Sequence, residues 1–396
     1  MGTHPDISVI IVSYNSAAYI VRCIESLVAA SEDVQFEVIL VDNASIDDTP
    51  KVAAERFGET SWFNLIESKQ NLGFGKACNL GVERACGEYV LLLNPDVFLL
   101  PGALRALLDD VSHLDGFGAA MGRTFWDDSL EFQVSSLKEL SPLASVVQMT
   151  TIRRFLGGIF EDLWEMDWAM WGSEEPFEVM GVPGGFMLMP TDLFRTLAGF
   201  DNRFFMYFED NDLCLRIRKA GRKIFCLPNA GAIHYCGQSL RNYTGQMAMV
   251  QEQSLLSFYK KHFPVLGRLL LVAIRADKMA RTAAKCLLGL LAGKGSSSEV
   301  PVGGPDGIEL KWESIPGAEY YYLEVTQDPC FLHRVGARVT GISYLLRHKA
   351  YQMLNSDVYF WRAVPMRGTC RAGRIQSGRF RITGDLVKRG ILGNAK

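Results

Sequence analysis

The sequence predicts an α/β fold, a mixed sheet flanked by helices, followed by a small all-β sandwich domain. Three observations support this prediction. In the N-terminal part, short β-branched runs alternate with helical patterns. Polar residues stand directly after several of these runs, as they do at the carboxyl ends of strands in open α/β sheets. After residue 307 the pattern changes to short alternating runs separated by turn residues.

The composition is that of an ordinary globular protein of two domains. The chain has 396 residues, of which 48% are apolar and 21% charged. A net charge of −3 argues against a nucleic-acid-binding protein, which is usually basic. Nine cysteines without a CxxC pair argue against a zinc finger or a disulfide scaffold, so we expect reduced thiols in the cytoplasm. Asp6 precedes the first apolar run, which is not the layout of a signal peptide.

The first two strands are predicted at residues 7–12 and 36–41, since both runs are short, apolar and β-branched. A helix follows the first strand, and we expect four residues on its buried face: Ile20, Ile24, Leu27 and Val28. Asp42 follows the second strand, where ligands of open α/β sheets bind. Asp42 could therefore read a nucleotide, or it could simply form the turn. Taken alone, the residue supports both interpretations equally.

A glycine-containing loop follows the third predicted strand, at residues 62–67. Gly73 and Gly75 at the start of a helix would let backbone amides approach a diphosphate, and Lys76 could add a positive charge. The loop is neither a Walker motif nor a dinucleotide-binding GxGxxG, so it does not favour ATP or NAD.

The fourth predicted strand, at residues 89–93, runs directly into Asn94-Pro95-Asp96. A carboxylate in a proline-stiffened turn at the end of a strand can hold Mg²⁺ or Mn²⁺, together with phosphate oxygens. A plain β-turn is the commoner meaning of this tripeptide. Because the strand before it is the fourth in an α/β series that faces a cleft, the position favours a metal site.

An acidic helix start after an aromatic run supplies the candidate general base. Glu209, Asp210 and Asp212 lie in the first turn of a helix that should end near Gly221. Arg216 follows Asp212 by four residues, so we predict an ion pair between them. Glu209 and Asp210 follow a run too apolar for an open surface. A carboxylate beside such a run suits a general base.

Gly184 and Gly185 precede another predicted strand, at residues 187–189, and a helix for which we expect Thr191 to be the cap. The glycines would let a sugar or an acceptor approach the backbone, although a tight turn explains them about as well. We expect the nearby Trp164, Trp168 and Trp171 to be core residues. The alternative is that they cover the active site or contact a lipid acceptor.

Together these motifs resemble the family-2 glycosyltransferases of the GT-A fold, especially the rhamnosyltransferase-like members. The resemblance covers residues 7–262 in collinear order and rests on six segments: ISVIIVSYN, ILVDNAS, NLGFGKACN, LLLNPD, GGFMLMPTDLFRTLAGFD and FFMYFEDNDLCLRIRKAG. It implies a nucleotide-sugar donor, linked to dTDP or UDP, a divalent metal and transfer with inversion.

The resemblance also implies roles for single residues. Asp42 corresponds to the residue that reads the nucleobase, Asp96 to the metal-binding acid of the DxD motif, Asp210 to the catalytic base of the ED motif, and His234 to a late histidine at the metal or diphosphate. The DxD motif reads Asn94-Pro95-Asp96 here, with one carboxylate instead of two. We expect Glu209, the second catalytic residue, to orient the acceptor or to hydrogen-bond the turn, and the acceptor to contact Gly184 and Gly185. The expected nucleotide-sugar contacts are Ser13, Tyr14, Asp42, Asn71, Gly73, Lys76, Asn79 and Asn94.

The predicted domain order begins with a glycosyltransferase domain at residues 1–262. Residues 263–293 form a basic amphipathic helical segment, which could lie on an anionic membrane surface or pack on protein. A linker at 294–307 and a sandwich at 308–383 follow, and 384–396 form a tail. The phrases LKWESIPGAEYYYLEVTQDPCF and YFWRAVP resemble a fibronectin type III domain, which we interpret as an interaction or spacer module.

Three functions are compatible with this sequence. The favoured one is an inverting glycosyltransferase that moves a sugar, rhamnose being one candidate, to a saccharide or lipid-linked saccharide in cell-surface polysaccharide synthesis. Such an enzyme would be cytoplasmic, or peripheral at the inner face of the cytoplasmic membrane. The second is a catalytically idle scaffold that acts through its sandwich domain, and the third is a nucleotidyltransferase, on fold analogy.

Overall fold

The structure is a computed structural model that describes residues 4–137, 162–235, 244–291, 307–326, 334–347 and 358–381. Contacts divide these residues into two compact units. The first contains residues 4–124, 136–137, 173–235 and 244–268. The second contains residues 125–135, 162–172 and 269–291 and the described residues from 307 onward. Two stretches from the middle of the sequence therefore group with the C-terminal strands, whereas the domain boundaries drawn from the sequence stay a prediction.

The described residues form seventeen strands and nine helices. The strands are β1 (Ile7–Ser13), β2 (Phe36–Asp42), β3 (Phe63–Glu67), β4 (Tyr89–Leu93), β5 (Val97–Leu99), β6 (Phe117–Phe125), β7 (Gln133–Val134), β8 (Phe177–Glu178), β9 (Phe186–Pro190), β10 (Lys223–His234), β11 (Gly307–Lys311), β12 (Tyr320–Thr326), β13 (Val335–Val339), β14 (Ser343–Arg347), β15 (Val358–Arg367), β16 (Cys370–Arg371) and β17 (Gln376–Arg381). The helices are α1 (Ile20–Ala30), α2 (Thr49–Phe57), α3 (Phe74–Val82), α4 (Ala103–Ser112), α5 (Asp162–Gly172), α6 (Thr191–Thr196), α7 (Glu209–Lys219), α8 (Thr244–His262) and α9 (Leu266–Leu291).

The sheet of the first unit is mixed, which confirms the predicted fold class. Its strand order is β3-β2-β1-β4-β9-β6. Strands β3, β2, β1 and β4 are parallel neighbours, and β9 pairs antiparallel with β4 and β6. Strand β10 pairs antiparallel with β5 and β8. Because the parallel strands all end at one edge of the sheet, the polar residues that follow them are brought together there.

The core of the first unit covers both faces of this sheet. All seven residues of β1 are buried, as a central parallel strand requires. Ile20, Ile24 and Leu27 of α1 are buried as predicted, but Val28 is 43% exposed. The prediction for Val28 was wrong because each helical residue turns the side chain by about 100°. Ile20, Ile24 and Leu27 centre the buried face, and Val28 falls outside it.

Of two predictions about helix ends, one is confirmed and one is wrong. Helix α7 ends before Gly221, whose φ of 75° is the left-handed conformation expected just after a helix, so that prediction is confirmed. Thr191 was predicted to cap α6, which is wrong. It is the first residue of the helix, and its hydroxyl donates to the carbonyl of Gly87 at 2.7 Å. The hydroxyl therefore links α6 to the turn before β4.

The second unit is largely β-structure, which confirms the predicted all-β strands. Strands β7, β13, β12 and β15 are consecutive antiparallel neighbours, and β16 and β17 both pair with β15. Strands β11 and β14 form a separate antiparallel pair. Its core includes Trp126 and Phe132 packed with the C-terminal strands. Trp168 and Trp171 of α5 are also buried in this unit, as expected of core residues, whereas the side chain of Trp164 is not described.

Helices α8 and α9 follow the last strand of the first unit. No helix within the described ranges is long and apolar enough to cross a membrane. Most of the predicted linker at 294–307 and the predicted tail at 384–396 lie outside the described residues.

Candidate active site

Asp42 lies at the edge of the sheet, where β1 and β2 end side by side. In the register of the two strands Ser13 is opposite Asp42, and the Ser13 hydroxyl donates to Asp42 Oδ1 at 3.1 Å. Ser45 donates from its backbone N–H to Oδ2 at 2.9 Å and from its hydroxyl to Oδ1 at 2.5 Å. Asp42 is 3% exposed, so these donors satisfy a carboxylate that the strand end holds in place. Tyr14 follows β1 and is half-buried.

Asn43 connects the end of β2 to the loop before α3. Its side-chain N–H group donates to Asn71 Oδ1 at 3.0 Å and to the carbonyl of Gly73 at 3.3 Å. Its side-chain oxygen accepts from the N–H of Leu72 at 2.8 Å. Asn71 in turn accepts from the N–H of Gly73 at 2.9 Å. The sequence analysis assigned no role to Asn43, although an amide directly after the strand-terminal Asp42 could have suggested one.

Gly73 is required where the loop meets the segment before α7. Its φ is 82°, and a Cβ at this position would lie 2.2 Å from the carbonyl oxygen of Phe205. The N–H of Phe74 donates to that carbonyl at 2.9 Å. Any other residue would be both strained and blocked by backbone atoms. The loop predicted to approach a diphosphate is therefore bound to the chain that leads to Asp210.

Two other predicted contacts of the nucleotide-sugar have different surroundings. Lys76 is exposed on α3. The side-chain amide of Asn79 donates to the carbonyl of Phe200 at 2.9 Å and accepts from the N–H of Phe200 at 2.8 Å. Because both polar atoms of this amide are used, Asn79 holds the turn at Phe200 to α3.

Asp96 and His234 come together although 138 residues of sequence separate them. Strand β10 runs antiparallel to β5 and places His234 opposite Val97. His234 Nε2 lies 3.4 Å from Asp96 Oδ1, and Asp96 is buried. Among the described residues no third His, Cys, Asp or Glu completes a metal-binding group. These two side chains suit Mg²⁺ or Mn²⁺, which often takes one or two protein ligands and completes its shell with phosphate oxygens and water.

Gly184 and Gly185 lie between the turn at Asn94 and the candidate base. The N–H of Asn94 donates to the carbonyl of Gly185 at 2.8 Å, and a Cβ on Gly185 would come within 2.5 Å of the Asn94 side-chain nitrogen. The N–H of Gly184 approaches Asp210 Oδ2 at 3.4 Å. The two glycines thus bring Asn94 and Asp210 to the same stretch of backbone.

The chain enters α7 through an unfavourable backbone conformation. Tyr207 and Phe208 have φ angles of 67° and 66°, in the left-handed region that bulky residues rarely adopt. Such conformations cost about 1–3 kcal/mol each, and they persist where the surrounding structure fixes the chain. Here they direct Glu209 and Asp210 out of an aromatic segment at the start of the helix.

Glu209 is a buried acid. It is 5% exposed, and its Oε2 has no hydrogen-bond partner among the described residues. Burial, and next the charge of Asp210, raise the pKa of Glu209 well above its usual value. Its charge also contributes to the raised pKa of the buried Cys78 thiol on α3. A Cβ on Gly75 of α3 would lie 3.7 Å from the Cβ of Glu209. Glu209 therefore lies beside α3, which favours a structural role over contact with an acceptor.

Asp210 retains some exposed surface. Burial of its carboxylate raises its pKa, while hydrogen bonds from the N–H groups of Asn211 and Gly184 oppose that rise. The bond from Asn211 to Oδ1 measures 2.8 Å. Two backbone donors thus fix the orientation of a carboxylate whose affinity for a proton is increased, which are two properties of a general base.

Asp212 is fully buried and pairs with Arg216, as predicted. The Arg216 Nε donates to Asp212 Oδ2 at 2.8 Å. Two residues that the sequence analysis missed, Lys261 and His262, also reach Asp212, each from the end of α8. They are far away in the sequence, so no local pattern could have revealed the contact.

Comparison with known proteins shows to which protein family this chain belongs. The family description "Glycosyl transferase family 2" matches residues 8–160. The N-acetylglucosaminyl-diphospho-decaprenol L-rhamnosyltransferase of Mycobacterium tuberculosis is 30% identical over 249 residues, covering 58% of this chain and 76% of that protein. The chain belongs to glycosyl transferase family 2. This family-2 glycosyltransferase is also 25% identical to rhamnosyltransferase WbbL of Escherichia coli K12, over 59% of this chain and 85% of WbbL.

Among solved structures, the mannosyltransferase PcManGT from Pyrobaculum calidifontis, in complex with GDP-Man and Mn²⁺, aligns with a TM-score of 0.45. The two are 19% identical, and the alignment covers 73% of this chain and 79% of that chain. This likeness is too distant to decide function. The family membership shows that the activity of the chain is sugar transfer, as the sequence analysis predicted.

Proposed function

We propose that this glycosyltransferase transfers a sugar with inversion, using Asp210 as the general base. The observation that carries the proposal is the setting of Asp210 at the start of α7. Two backbone N–H groups hold its carboxylate, and burial raises its pKa. In the reaction, the acceptor hydroxyl gives its proton to Asp210 as its oxygen attacks the anomeric carbon. The bond from that carbon to the nucleotide diphosphate breaks, and the diphosphate leaves from the opposite face.

The nucleotide would bind at the carboxyl ends of β1 and β2, beside Asp42. The diphosphate would lie along the loop at Gly73 and the turn at Asn94. This assignment is supported by the hydrogen bonds that Asn43 makes from the end of β2 to the loop. It is also supported by the rule that ligands of open α/β sheets bind at the carboxyl ends of strands.

Asp96 and His234 would hold a divalent metal, Mg²⁺ or Mn²⁺, at the diphosphate. Asp96 directly precedes β5 and His234 ends β10, and the separation of 3.4 Å between Asp96 Oδ1 and His234 Nε2 supports this. Such a metal, when bound, would supply electrostatic stabilisation of the departing diphosphate.

The names of two relatives suggest the sugar and the acceptor. Both are rhamnosyltransferases, and one is named for N-acetylglucosaminyl-diphospho-decaprenol. We therefore propose rhamnose, carried by dTDP or UDP, as the donor sugar. We propose a lipid-linked saccharide as the acceptor, in polysaccharide synthesis.

A lipid-linked acceptor would bring the enzyme to a membrane, and α9 offers a surface for this. Leu269, Val272 and Met279 are exposed and recur at helical spacing, so they share one face, with Arg275 beside it. In the sequence, residues 263–293 contain five basic residues and one acidic residue. An apolar face flanked by positive charge suits an anionic lipid surface.

The C-terminal strands support a fibronectin type III-like module only in part. Seven strands of the second unit begin at or after residue 307, and β12 pairs antiparallel with both β13 and β15. We propose that they form such a module, completed by β7 and α5 from earlier in the chain.

The substitution Asp210→Asn tests the proposed base. It keeps the shape of the side chain and removes its basicity, so kcat should fall about 10²–10⁴-fold. The affinities for UDP and dTDP should stay close to wild type. Asp192→Asn is the matched control, because that side chain is 99% exposed. The donor is first identified by thermal shift with nucleotide-sugars and Mn²⁺, since a ligand at 100 times its Kd adds about 2.7 kcal/mol of stability. Near-normal turnover by Asp210→Asn would contradict the proposal.

A further inference from the structure

The last two residues of α8 contact the helix that carries Asp210. Lys261 Nζ lies 2.5 Å from Asp212 Oδ1, and His262 Nε2 lies 2.6 Å from the same oxygen. Asp212 is fully buried, and the side chain of His262 is 5% exposed. A buried carboxylate that several polar partners contact is held in one position, because any other position would leave buried polar groups unpaired.

The same cluster also holds the turn before α7. Lys261 Nζ lies 2.6 Å from Asp201 Oδ2. Arg216, which binds Asp212, donates to the carbonyl of Leu197 at 2.6 Å and to that of Gly199 at 2.7 Å. One group of side chains thus joins α7, the end of α8 and the turn at residues 197–201.

A second contact of α8 reaches the strained segment before Glu209. The hydroxyl of Ser254 donates to the carbonyl of Met206 at 2.7 Å. Met206 directly precedes Tyr207 and Phe208, the two residues with positive φ. Helix α8 therefore fixes both the approach to α7 and the helix itself.

We propose that Lys261 and His262 are positioning residues for Asp210, which they hold in place by anchoring Asp212 on the same helix. The inference rests on the proposed role of Asp210 as the base. Residues two apart on a helix point about 200° away from each other, so the anchor lies on the side opposite the base. Lys261 and His262 can then fix the helix without touching the acceptor. Misplacement of a reacting group by about 1 Å costs about 10²-fold in rate.

The charges around the helix give the proposal a second, electrostatic consequence. Burial acts to raise the pKa of Asp212, but hydrogen bonds from His262 and Lys261 outweigh it and lower that pKa, so Asp212 is ionised. The titratable groups that interact with Asp210 are Glu209 and Cys214, and Asp212 and Arg216 lie on the same helix. Asp201 and Arg203 before α7, and Lys261 and His262 on α8, group with Asp212. Loss of Lys261 would leave these carboxylates with one cation fewer. Asp210 would then hold its proton more tightly.

The test compares Lys261→Met with Lys261→Arg and Lys260→Met, using dTDP-rhamnose or whichever nucleotide-sugar the thermal-shift screen identifies. Lys260 is exposed, so Lys260→Met makes the same charge change outside the cluster. We expect Lys261→Met to lower kcat about 10–10²-fold, with unchanged affinity for UDP and dTDP. The acid limb of the kcat/KM profile should move to higher pH. Lys261→Arg should restore most of the wild-type kcat and most of the wild-type position of the acid limb. Lys260→Met should change neither quantity.

A purely structural role for Lys261 predicts a different result. The thermal midpoint and the rate would fall together, and the acid limb would stay where it is, which would overturn the proposal. If Lys261→Met does not fold, His262→Leu and His262→Gln apply the same test, because only Gln keeps a nitrogen donor. Asp210→Asn is measured alongside. If it remains active, the proposed base is wrong. If it is inactive while Lys261→Met behaves like Lys260→Met, only the positioning role is wrong.

Discussion

At the scale of single residues, the two carboxylates that begin α7 differ in their surroundings although they are adjacent in sequence. Glu209 is enclosed against α3, with one oxygen lacking a hydrogen bond among the described residues, whereas two backbone N–H groups bind Asp210. Both pKa values are raised, and burial is the main cause in each case. Their roles therefore separate into a buried acid and a candidate base.

This difference predicts how Glu209→Gln changes stability with pH. Because the pKa of Glu209 is higher in the folded protein than the value of about 4.3 in an unfolded chain, folding favours the protonated form. The stability that depends on this proton is complete below about pH 4.3 and is lost as pH rises. Gln resembles the protonated acid and does not titrate. Relative to wild type, Glu209→Gln should therefore gain thermal stability between pH 5 and pH 8, whereas exposed Glu55→Gln should show no trend. A relative loss of stability with rising pH would refute this account.

The pair Asp96 and His234 leads to a prediction about metal dependence. Mn²⁺ should increase the affinity of the wild-type protein for UDP and dTDP. Asp96→Ala should lose this increase and keep the metal-free affinity, because the carboxylate acts only through the ion. Isothermal titration with and without EDTA measures both quantities, with Asp109→Ala as an exposed control. Full donor binding and turnover by the wild-type protein in EDTA would show that the metal role is wrong.

At the scale of elements, α9 is the helix whose partner the sequence left open. Leu269, Val272 and Met279 are exposed, so this face of α9 is open to a membrane surface or to a second protein. The structure does not describe the side chains of Lys278 and Arg281. The side chain of Arg275 is described, and it is exposed beside the apolar face.

We predict that α9 binds anionic vesicles. A basic residue near such a surface contributes about 1 kcal/mol. The triple substitution of Arg275, Lys278 and Arg281 by Glu should therefore weaken binding at least about 10²-fold. Flotation with vesicles that contain an anionic phospholipid measures this, and vesicles of neutral phospholipid give the baseline. The control reverses three exposed lysines elsewhere, Lys51, Lys69 and Lys219. Equal recovery on both kinds of vesicle, or no effect of the triple substitution, would indicate a helix that packs on protein.

At the scale of the whole molecule, the second unit is built from separate parts of the sequence. Trp126 and Phe132 lie in its core with residues such as Trp312 and Phe380. Trp168 of α5 donates to Glu324 Oε1 at 2.7 Å, and Glu324 also binds Arg334 and Arg362. Glu324, Arg334 and Arg362 are all buried. Removal of the C-terminal strands would remove these three residues and leave the indole N–H of Trp168 without its acceptor.

This organisation predicts that the C-terminal strands are not a removable module. Each large apolar side chain that loses its burial costs about 1.5–3 kcal/mol. A fragment of residues 1–293 should therefore be less stable than the full chain and should aggregate. Co-expression of residues 294–396 as a second chain should restore solubility. Thermal unfolding and size-exclusion chromatography measure both effects. A monomeric 1–293 fragment with the thermal midpoint of the full chain would mean that the strands are an independent spacer, as the sequence suggested.

The sequence by itself determined the elements and the chemistry of the candidate site. Period-2 and period-3.6 patterns are local, so β1, α1, β4 and α7 could be predicted closely from them. The order of strands and turns placed Asp42 and Asp96 at one edge of the sheet, since parallel strands end together. The pair of Asp212 with Arg216 followed from helical spacing alone.

Only the tertiary structure decided what surrounds each of these residues. It placed Glu209 beside α3, used both polar atoms of Asn79 on Phe200, and brought Lys261 and His262 to Asp212. It also grouped residues 125–135 and 162–172 with strands that follow residue 307. Burial and contacts between distant parts of the chain depend on how the elements pack. Local patterns do not contain that information, because a helix or strand has the same period whatever lies against it.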